Sequence, residues 1–450
     1  MVLHIEYFKG YCIKCDEKYT SINYEWCKQC QRNNLTNNFT EWTSGNKKVD
    51  AFIQEMQLKI NNIHDIIFEW IPYNHFNDIK KIDKGGFAVV YSAIWKDGPL
   101  SYYKIKNEWI RESNKKVALK CLNNSQNISD EFLNEVKAYS INNFDKILRI
   151  WNITKSKYKR LHHGSSICRR RKFNHWINKN YKYFCWTRKL KVLNNIINGL
   201  KGIHQKQMIH CDFHTGNILF EAISCFSSNY ISDMGLCGEI GNIDKKNIYG
   251  VMPYIAPELL RGNPYTQAAD VYSFSMIMYS VATEIQPFND RAHDENLALD
   301  ICKSVRPEIN ELEIPKCYIN LMKRCWDSNP DNRPNVTEIE KSIYNLNLPL
   351  QKDREIYKQF LEAESYRKAN KKRQLSAHPQ AFYTSRLLNL FTKDLPKYID
   401  DNDLSSKITI NNEDNYNETI PNTSLGFNDA KIFNSKHTVE IKGNTLAKSE

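Results

Sequence analysis

Along the chain, apolar and polar positions alternate with different periods in different stretches. Phe52, Ile53, Met56, Ile60, Ile63, Ile66, Ile67 and Trp70 recur at helical spacing and predict a helix over 49–70, ended before Pro72. Two extended runs flank Lys84-Gly85-Gly86-Phe87, and Val117-Ala118-Leu119-Lys120 alternates as a strand. Residues 130–139 predict a helix with Ser129 as its N-cap and acids in its first turn. Further on, Leu190, Leu193, Ile196, Ile197, Leu200 and Ile203 mark a helix over 186–204, and 271–281 is apolar enough for a buried one. Residues 31–48, rich in Asn and Thr, predict a linker, and 95–116 a polar insertion between strands. Past Pro349 a charged helix is expected over 354–373. Beyond Leu375 the chain is polar, with Leu387, Leu388, Leu390 and Phe391 as its one apolar cluster, and disorder is expected there.

Composition narrows the class. A hydrophobic content of 41% allows a sizeable core, and no apolar run is long enough to span a bilayer. The N-terminus lacks a signal peptide's basic start and apolar core, so an intracellular location, cytoplasmic or nuclear, is expected. The 13 cysteines are odd in number and scattered, which argues against a disulfide framework. The net charge of +12 is read as Lys-rich solvated surface, and nucleic acid is not favoured as a partner.

The chemistry gathers around 209–219, Ile-His-Cys-Asp-Phe-His-Thr-Gly-Asn-Ile-Leu. Asp212 and Asn217 stand on a short polar loop between apolar ends, a spacing that can aim a carboxylate and an amide into one cleft. Phosphoryl transfer needs such a pair, to orient a hydroxyl and to help hold Mg²⁺. The stretch resembles the catalytic loop of protein kinases, with Cys211 in place of the family's arginine. Ser232-Asp233-Met234-Gly235 resembles the family's metal-binding Asp-Phe-Gly, and Ala256-Pro257-Glu258 the end of its activation segment. Cys325-Trp326 and Arg333-Pro334 match late motifs of the tyrosine-kinase-like and tyrosine kinase groups, which implies an Arg333–Glu258 ion pair. Lys120 resembles the phosphate-holding lysine, and Glu135 the helix glutamate that pairs with it. The glycine-rich loop falls on Asp83, Gly85 and Ala88, followed by Val90. Gly85 and Gly86 allow close backbone approach to phosphates, whereas Asp83 and Ala88 should weaken the cradle.

The resemblance covers about 76–345 and implies an α+β, two-lobed protein-kinase fold. An antiparallel β-sheet lobe with one helix (76–160) would precede a helical lobe (173–345). It implies ATP and Mg²⁺ as cofactors, with Asn217 and Asp233 as metal ligands, Asp212, Lys120 and Asn217 as catalytic residues, and a protein hydroxyl as acceptor. His214 stands where many Ser/Thr kinases carry a lysine. No Ser or Thr lies between Asp233 and Glu258, and Gly250-Val251 leaves Ser/Thr versus Tyr specificity open.

Upstream, Cys12-x-x-Cys15 and Cys27-x-x-Cys30 form two knuckles that can close a tetrahedral Zn²⁺ site. With all four positions filled, a zinc ribbon over 1–35 reads as structural or as a contact for a protein partner. It precedes a linker and helix (36–75), the kinase region and a polar tail (346–450). Together these resemble an expanded tyrosine-kinase-like family of mycorrhizal fungi.

One stretch resists this pattern. Where the family needs an apolar strand and a hinge, 161–173 is strongly basic and shows no strand period. Read one base out of register, with suitable synonymous codons, it becomes an apolar strand followed by a Gly-Gly turn, and a local frame error is the preferred reading. Taken as written, the segment implies a lost inner strand and impaired ATP binding. The alternatives are then a pseudokinase scaffold and, through the ribbon and this basic stretch, a nucleic-acid binder.

Overall fold

The computed structural model describes residues 10–395 apart from 86–87, 104, 107, 123–129, 141–145, 157–159, 167–170, 221–227, 242, 244–246, 348–353, 371–375 and 394. Gly86, the Ser129 cap, Cys168 to Arg170 and the tail beyond Leu395 therefore lie outside the described residues.

The chain opens on two knuckles and helix α1 (Lys28–Asn37), followed by α2 (Lys47–Leu58). Helix α1 takes up part of the stretch expected to be linker. Helix α2 is capped by Asn46, whose side chain accepts from Lys48 N and Val49 N. It stops at Leu58, well short of Pro72. Asn61 N and Asn62 N donate instead to the Asp65 carboxylate, a local turn that competes with helix. The apolar positions beyond it remain buried: Ile60, Ile63 and Ile67 pack on Trp26, and Phe68 joins the main core.

A six-stranded sheet follows, in the order β1-β7-β8-β6-β3-β2. Its strands are β1 (Glu69–Trp70), β2 (Phe76–Lys84), β3 (Ala88–Trp95), β6 (Lys115–Leu122), β7 (Ile150–Lys155) and β8 (Leu161–Ser166). All pairs are antiparallel except β1 with β7. The polar insertion is a hairpin, β4 (Leu100–Tyr103) with β5 (Glu108–Arg111). Its Tyr102 and Trp109 close over the Trp26 cluster, and Trp109 Nε1 donates to Gln31 Oε1 at 2.9 Å. Helix α3 (Asp130–Ser140) packs against the sheet.

Strand β8 corrects the expectation for 161–173. As written, the sequence keeps an inner strand, hydrogen-bonded to β6 and β7 on both sides. Backbone pairing does not depend on side-chain polarity, and a central strand buried on both faces needs no alternation. Leu161, His162, His163 and Ser165 are buried there. Gly164 is required by close approach, since a Cβ would meet the Asn152 side chain at 2.5 Å. No shifted reading is needed to place a strand.

The large lobe is built on α5 (Trp186–His204) and α7 (Gln267–Thr283), with α4 (Phe173–Asn180), α6 (Pro257–Leu260), α8 (Glu295–Cys302), α9 (Lys316–Cys325) and α10 (Val336–Asn347) around them. Short strands β10 (Met208–Ile209), β11 (Ile218–Phe220), β12 (Asn229–Ile231), β13 (Gly238–Glu239) and β14 (Tyr249–Gly250) carry the loops, and β9 (Arg171–Lys172) pairs with β11. The charged helix expected over 354–373 forms, and part of the stretch beyond Leu375, where disorder is expected, is ordered. Helix α11 (Arg354–Ala369) buries Phe360 and Ala363, and β15 (Arg386–Leu387) pairs with β14. The reason is the apolar cluster already visible in that stretch: Leu388 is fully buried.

Candidate functional site

Strand register places Lys120 on the central β6, opposite Val90 of β3 and His163 of β8. The Lys120 ammonium lies 2.6 Å from Glu135 Oε1 and 2.5 Å from Asp233 Oδ1. Burial alone would strip the proton from Lys120, but Asp233 and Glu135 outweigh it and hold the lysine charged. Burial likewise opposes ionisation of Glu135, yet Lys120 and His163 hold it below the ordinary carboxylate range. His163 Nε2 is 3.3 Å from Glu135 Oε1, so the strand with an unexpected sequence contributes directly to this ion cluster. Asp233 has a left-handed backbone (φ 62°), fixed where Asp233 N and Met234 N both donate to the Tyr139 hydroxyl. Its carboxylate remains about half exposed, at 44%.

Gly85 N donates to Ala88 O at 2.8 Å, which extends the pairing of β2 with β3 to Gly85. Gly86 lies outside the described residues.

Below this cluster, the loop between β10 and β11 is braced from beneath by Asp270. Its carboxylate accepts from His210 N, Cys211 N and His204 Nε2 at 2.8, 3.2 and 2.9 Å. Cys211 takes a left-handed φ of 65° in the process. His210 is kept neutral by burial; its ring accepts from Asp212 N at Nδ1 and donates through Nε2 to Ser232 O. Asp270 stands immediately ahead of the apolar run 271–281, and a carboxylate at the head of such a run is the available sequence signal.

Asp212 is buried. Desolvation works against its charge, but the His214 imidazole, 3.6 Å away, lowers its pKa, with His210 and the Ser385 hydroxyl helping. Asn217 Nδ2 donates to Asp212 O at 2.9 Å, which fixes the amide and leaves its oxygen as the remaining acceptor. Ser232 N and Oγ both donate to Asn217 O, at 2.8 and 2.9 Å. That pair of bonds ties the strand leading to Asp233 directly to Asn217. Asp212 and Asn217 from one loop, Asp233 from the segment after β12, Lys120 from β6 and Glu135 from α3 are thus brought into one cleft.

The segment after Asp233 is anchored at its far end. Arg333 donates to both Glu258 oxygens, at 2.6 and 2.7 Å, forming the expected buried ion pair. Tyr254 is an internal brace: its hydroxyl donates to Gln286 Oε1 at 2.6 Å and lies 3.1 Å from both Thr215 Oγ1 and Ser280 Oγ. Cys211 offers no cation, and burial keeps its thiol protonated.

A second candidate site lies at the N-terminus. The sulfurs of Cys12, Cys15, Cys27 and Cys30 all fall within 4.8 Å of one another, with Cys12–Cys30 at 3.6 Å and Cys15–Cys27 at 3.4 Å. Four sulfurs about 2.3 Å from one Zn²⁺ stand roughly 3.8 Å apart, so this set fits a tetrahedral zinc ion. Cys15 N and Asp16 N both donate to Cys12 O, closing the first knuckle, and Cys12 is held down to about 7 despite its burial.

The protein kinase domain family model matches residues 76–345, more than half of the chain, and the chain belongs to that family. Members use ATP with Mg²⁺ in general and act on protein substrates. A probable serine/threonine-protein kinase of Dictyostelium discoideum is 27% identical over 322 residues, covering 64% of this chain and 34% of its own length. A probable LIM domain-containing serine/threonine-protein kinase of the same organism is 26% identical over 269 residues, covering 59% of this chain and 38% of its own length. A protein kinase and PP2C-like domain-containing protein of Arabidopsis thaliana is 29% identical over 184 residues, covering 33% and 28%. The chain spans well under half the length of these relatives. Among the described residues, no helix is long and apolar enough to cross a membrane.

Proposed function

We propose that the chain is a catalytically active protein kinase of the tyrosine-kinase-like group, working inside the cell in signal transduction. It transfers the ATP γ-phosphate to a Ser or Thr hydroxyl of a protein. The carrying observation is that Lys120, Glu135 and Asp233 form one ion cluster in the same cleft as Asp212 and Asn217. The half-exposed Asp233 carboxylate and the Asn217 amide oxygen are hard oxygen donors that fit Mg²⁺. When bound, the metal neutralises phosphate charge. Lys120, held charged by Glu135, orients the phosphates, and Gly85 and Val90 line the flap above them. Asp212, kept ionised in a buried position, orients the acceptor hydroxyl and takes its proton. His214, 3.6 Å from Asp212 Oδ1, stands where many Ser/Thr kinases carry a lysine.

The kinase names of the relatives and the retained ion cluster favour catalysis over a scaffold role. Asp212→Asn should lower phosphate transfer at least about 100-fold without altering the circular dichroism spectrum. A folded wild-type chain that transfers no phosphate from Mg·ATP to any protein acceptor would sink the reading. The four N-terminal thiolates are assigned to a structural Zn²⁺ that supports a protein contact. Elemental analysis should find one zinc per chain, lost with Cys27→Ser, and a metal-free folded chain would remove it.

A further inference from the structure

Resting on that reading, we propose that Ser385 is the chain's own phosphoacceptor, delivered in cis by residues 378–391, which occupy the acceptor groove of the kinase cleft. Strand β15 pairs antiparallel with β14, Tyr249 opposite Leu387 and Gly250 opposite Arg386. The pairing continues as Leu388 N donates to Ile248 O and Ile248 N to Asn389 Oδ1, both at 2.8 Å. This is an extended peptide adding a strand to the segment between Asp233 and Glu258. Side chains fix its register. Leu388 is fully buried, the Tyr383 hydroxyl donates to Pro287 O at 2.9 Å, and Arg386 donates to His293 O at 2.6 Å.

That register puts Ser385 one residue before the paired strand and against Asp212. The Ser385 hydroxyl is buried, and among the described residues its oxygen and Asp212 Oδ1 have no well-aligned hydrogen-bond partner. They are nonetheless close enough that Ser385 helps hold Asp212 ionised. Gly250, paired with Arg386, sits beside the same carboxylate: its Cβ position is 3.5 Å from Asp212 Oδ1, an ordinary contact distance, so the strand pairing sets the residues next to Ser385 along the Asp212 side chain. The neighbouring Thr384 is exposed, and the Tyr383 hydroxyl points to Pro287, so the geometry singles out one of three adjacent hydroxyls.

The step balances with ATP as co-reactant. Ser385 Oγ attacks the γ-phosphorus, the new Oγ–P bond forms, and the bond from the γ-phosphorus to the β–γ bridging oxygen breaks. ADP leaves, and the hydroxyl proton passes to the Asp212 carboxylate. The product carries about −1.5 to −2 charges beside Asp212, which repels the segment and opens the groove to other acceptors.

Two measurements on the full chain test this. Without nucleotide, hydrogen exchange should show protected amides at Ile248 and Leu388, lost in Leu388→Asp; fast exchange at both in the wild type overturns the docking. With Mg·ATP, fragmentation mass spectrometry should place phosphate on Ser385 and not Thr384, at a first-order rate unchanged on dilution. Leu388→Asp should abolish that modification and lower the KM for an added basic protein acceptor about tenfold, as expected if the segment occupies the groove nine-tenths of the time. Transfer to the added acceptor with no Ser385 phosphate, or a Ser385 rate that rises with concentration, overturns the inference and leaves the kinase reading standing. No transfer to either acceptor, with both amides protected, overturns the kinase reading and this one with it.

Discussion

On the large-lobe side of the cleft, Asp270 accepts two hydrogen bonds from the loop that carries Asp212 and a third from His204 at the end of α5. Arg333, fully buried, spends its guanidinium on both Glu258 oxygens, Asp327 O and Ala268 O. On the small-lobe side, β7 and β8 bury Asn152, Thr154 and His162 with no hydrogen-bond partner for their side chains among the described residues. Both regions bury polar groups next to the same cleft. In one, the Asp270 carboxylate and the Arg333 guanidinium are both held by buried partners, so the geometry they brace is locked. In the other, only the backbone ladder is satisfied, and each orphaned group costs about 1–3 kcal/mol. The contrast separates two requirements. Aiming a carboxylate demands side-chain pairing, whereas supplying a central strand demands only backbone pairing.

Breaking the better-paired side should have the larger effect. Arg333→Met leaves Glu258 buried without its partner and should cost about 3–5 kcal/mol, read as a lower urea midpoint. A loss below about 1 kcal/mol would show that the pair does not hold this side together.

Relieving the other side should do the opposite. His162→Phe keeps an aromatic ring against Tyr73 and Tyr91, whose centroids lie 5.7 and 5.8 Å from the imidazole. It removes two orphaned nitrogens and should stabilise the chain by about 1–3 kcal/mol at neutral pH. Burial, with His163 and Arg160, holds His162 down to about 4. Between the ordinary histidine value and that one, the unfolded chain binds the proton and the folded chain does not. Stability from this group is therefore complete above about pH 6.5 and falls by roughly 3 kcal/mol as pH drops towards 4. His162→Phe should flatten that limb of the stability curve. An unchanged acid limb would mean that water reaches the ring.

The candidate site was legible as an order of residues: Lys120, Glu135, Asp212, Asn217 and Asp233 each sit in a short local pattern. Their local settings were legible too, because a polar loop between apolar ends and a Lys at the end of an alternating run are properties of neighbouring residues. Asp270 and His163 were not read as part of the site, since each acts on residues far away in sequence and has no local pattern of its own. The helix expected over 49–70 failed at Asn61, where side-chain bonds to Asp65 outcompeted continuation of the helix. Apolar spacing cannot register that competition.

Two features rested on tertiary structure alone. Strand β8 exists because β6 and β7 present open backbone groups on both sides of it, and that pull overrides a basic, polar sequence. The 378–391 segment reads as polar tail, but Leu388 finds a buried site and Ile248 offers a backbone partner. The sequence by itself determined which residues carry chemistry, because side-chain type and short spacing are written in the chain. Which distant segments meet, and so which hydroxyl faces Asp212, depended on non-local pairing, which releases its free energy only once the two lobes have assembled.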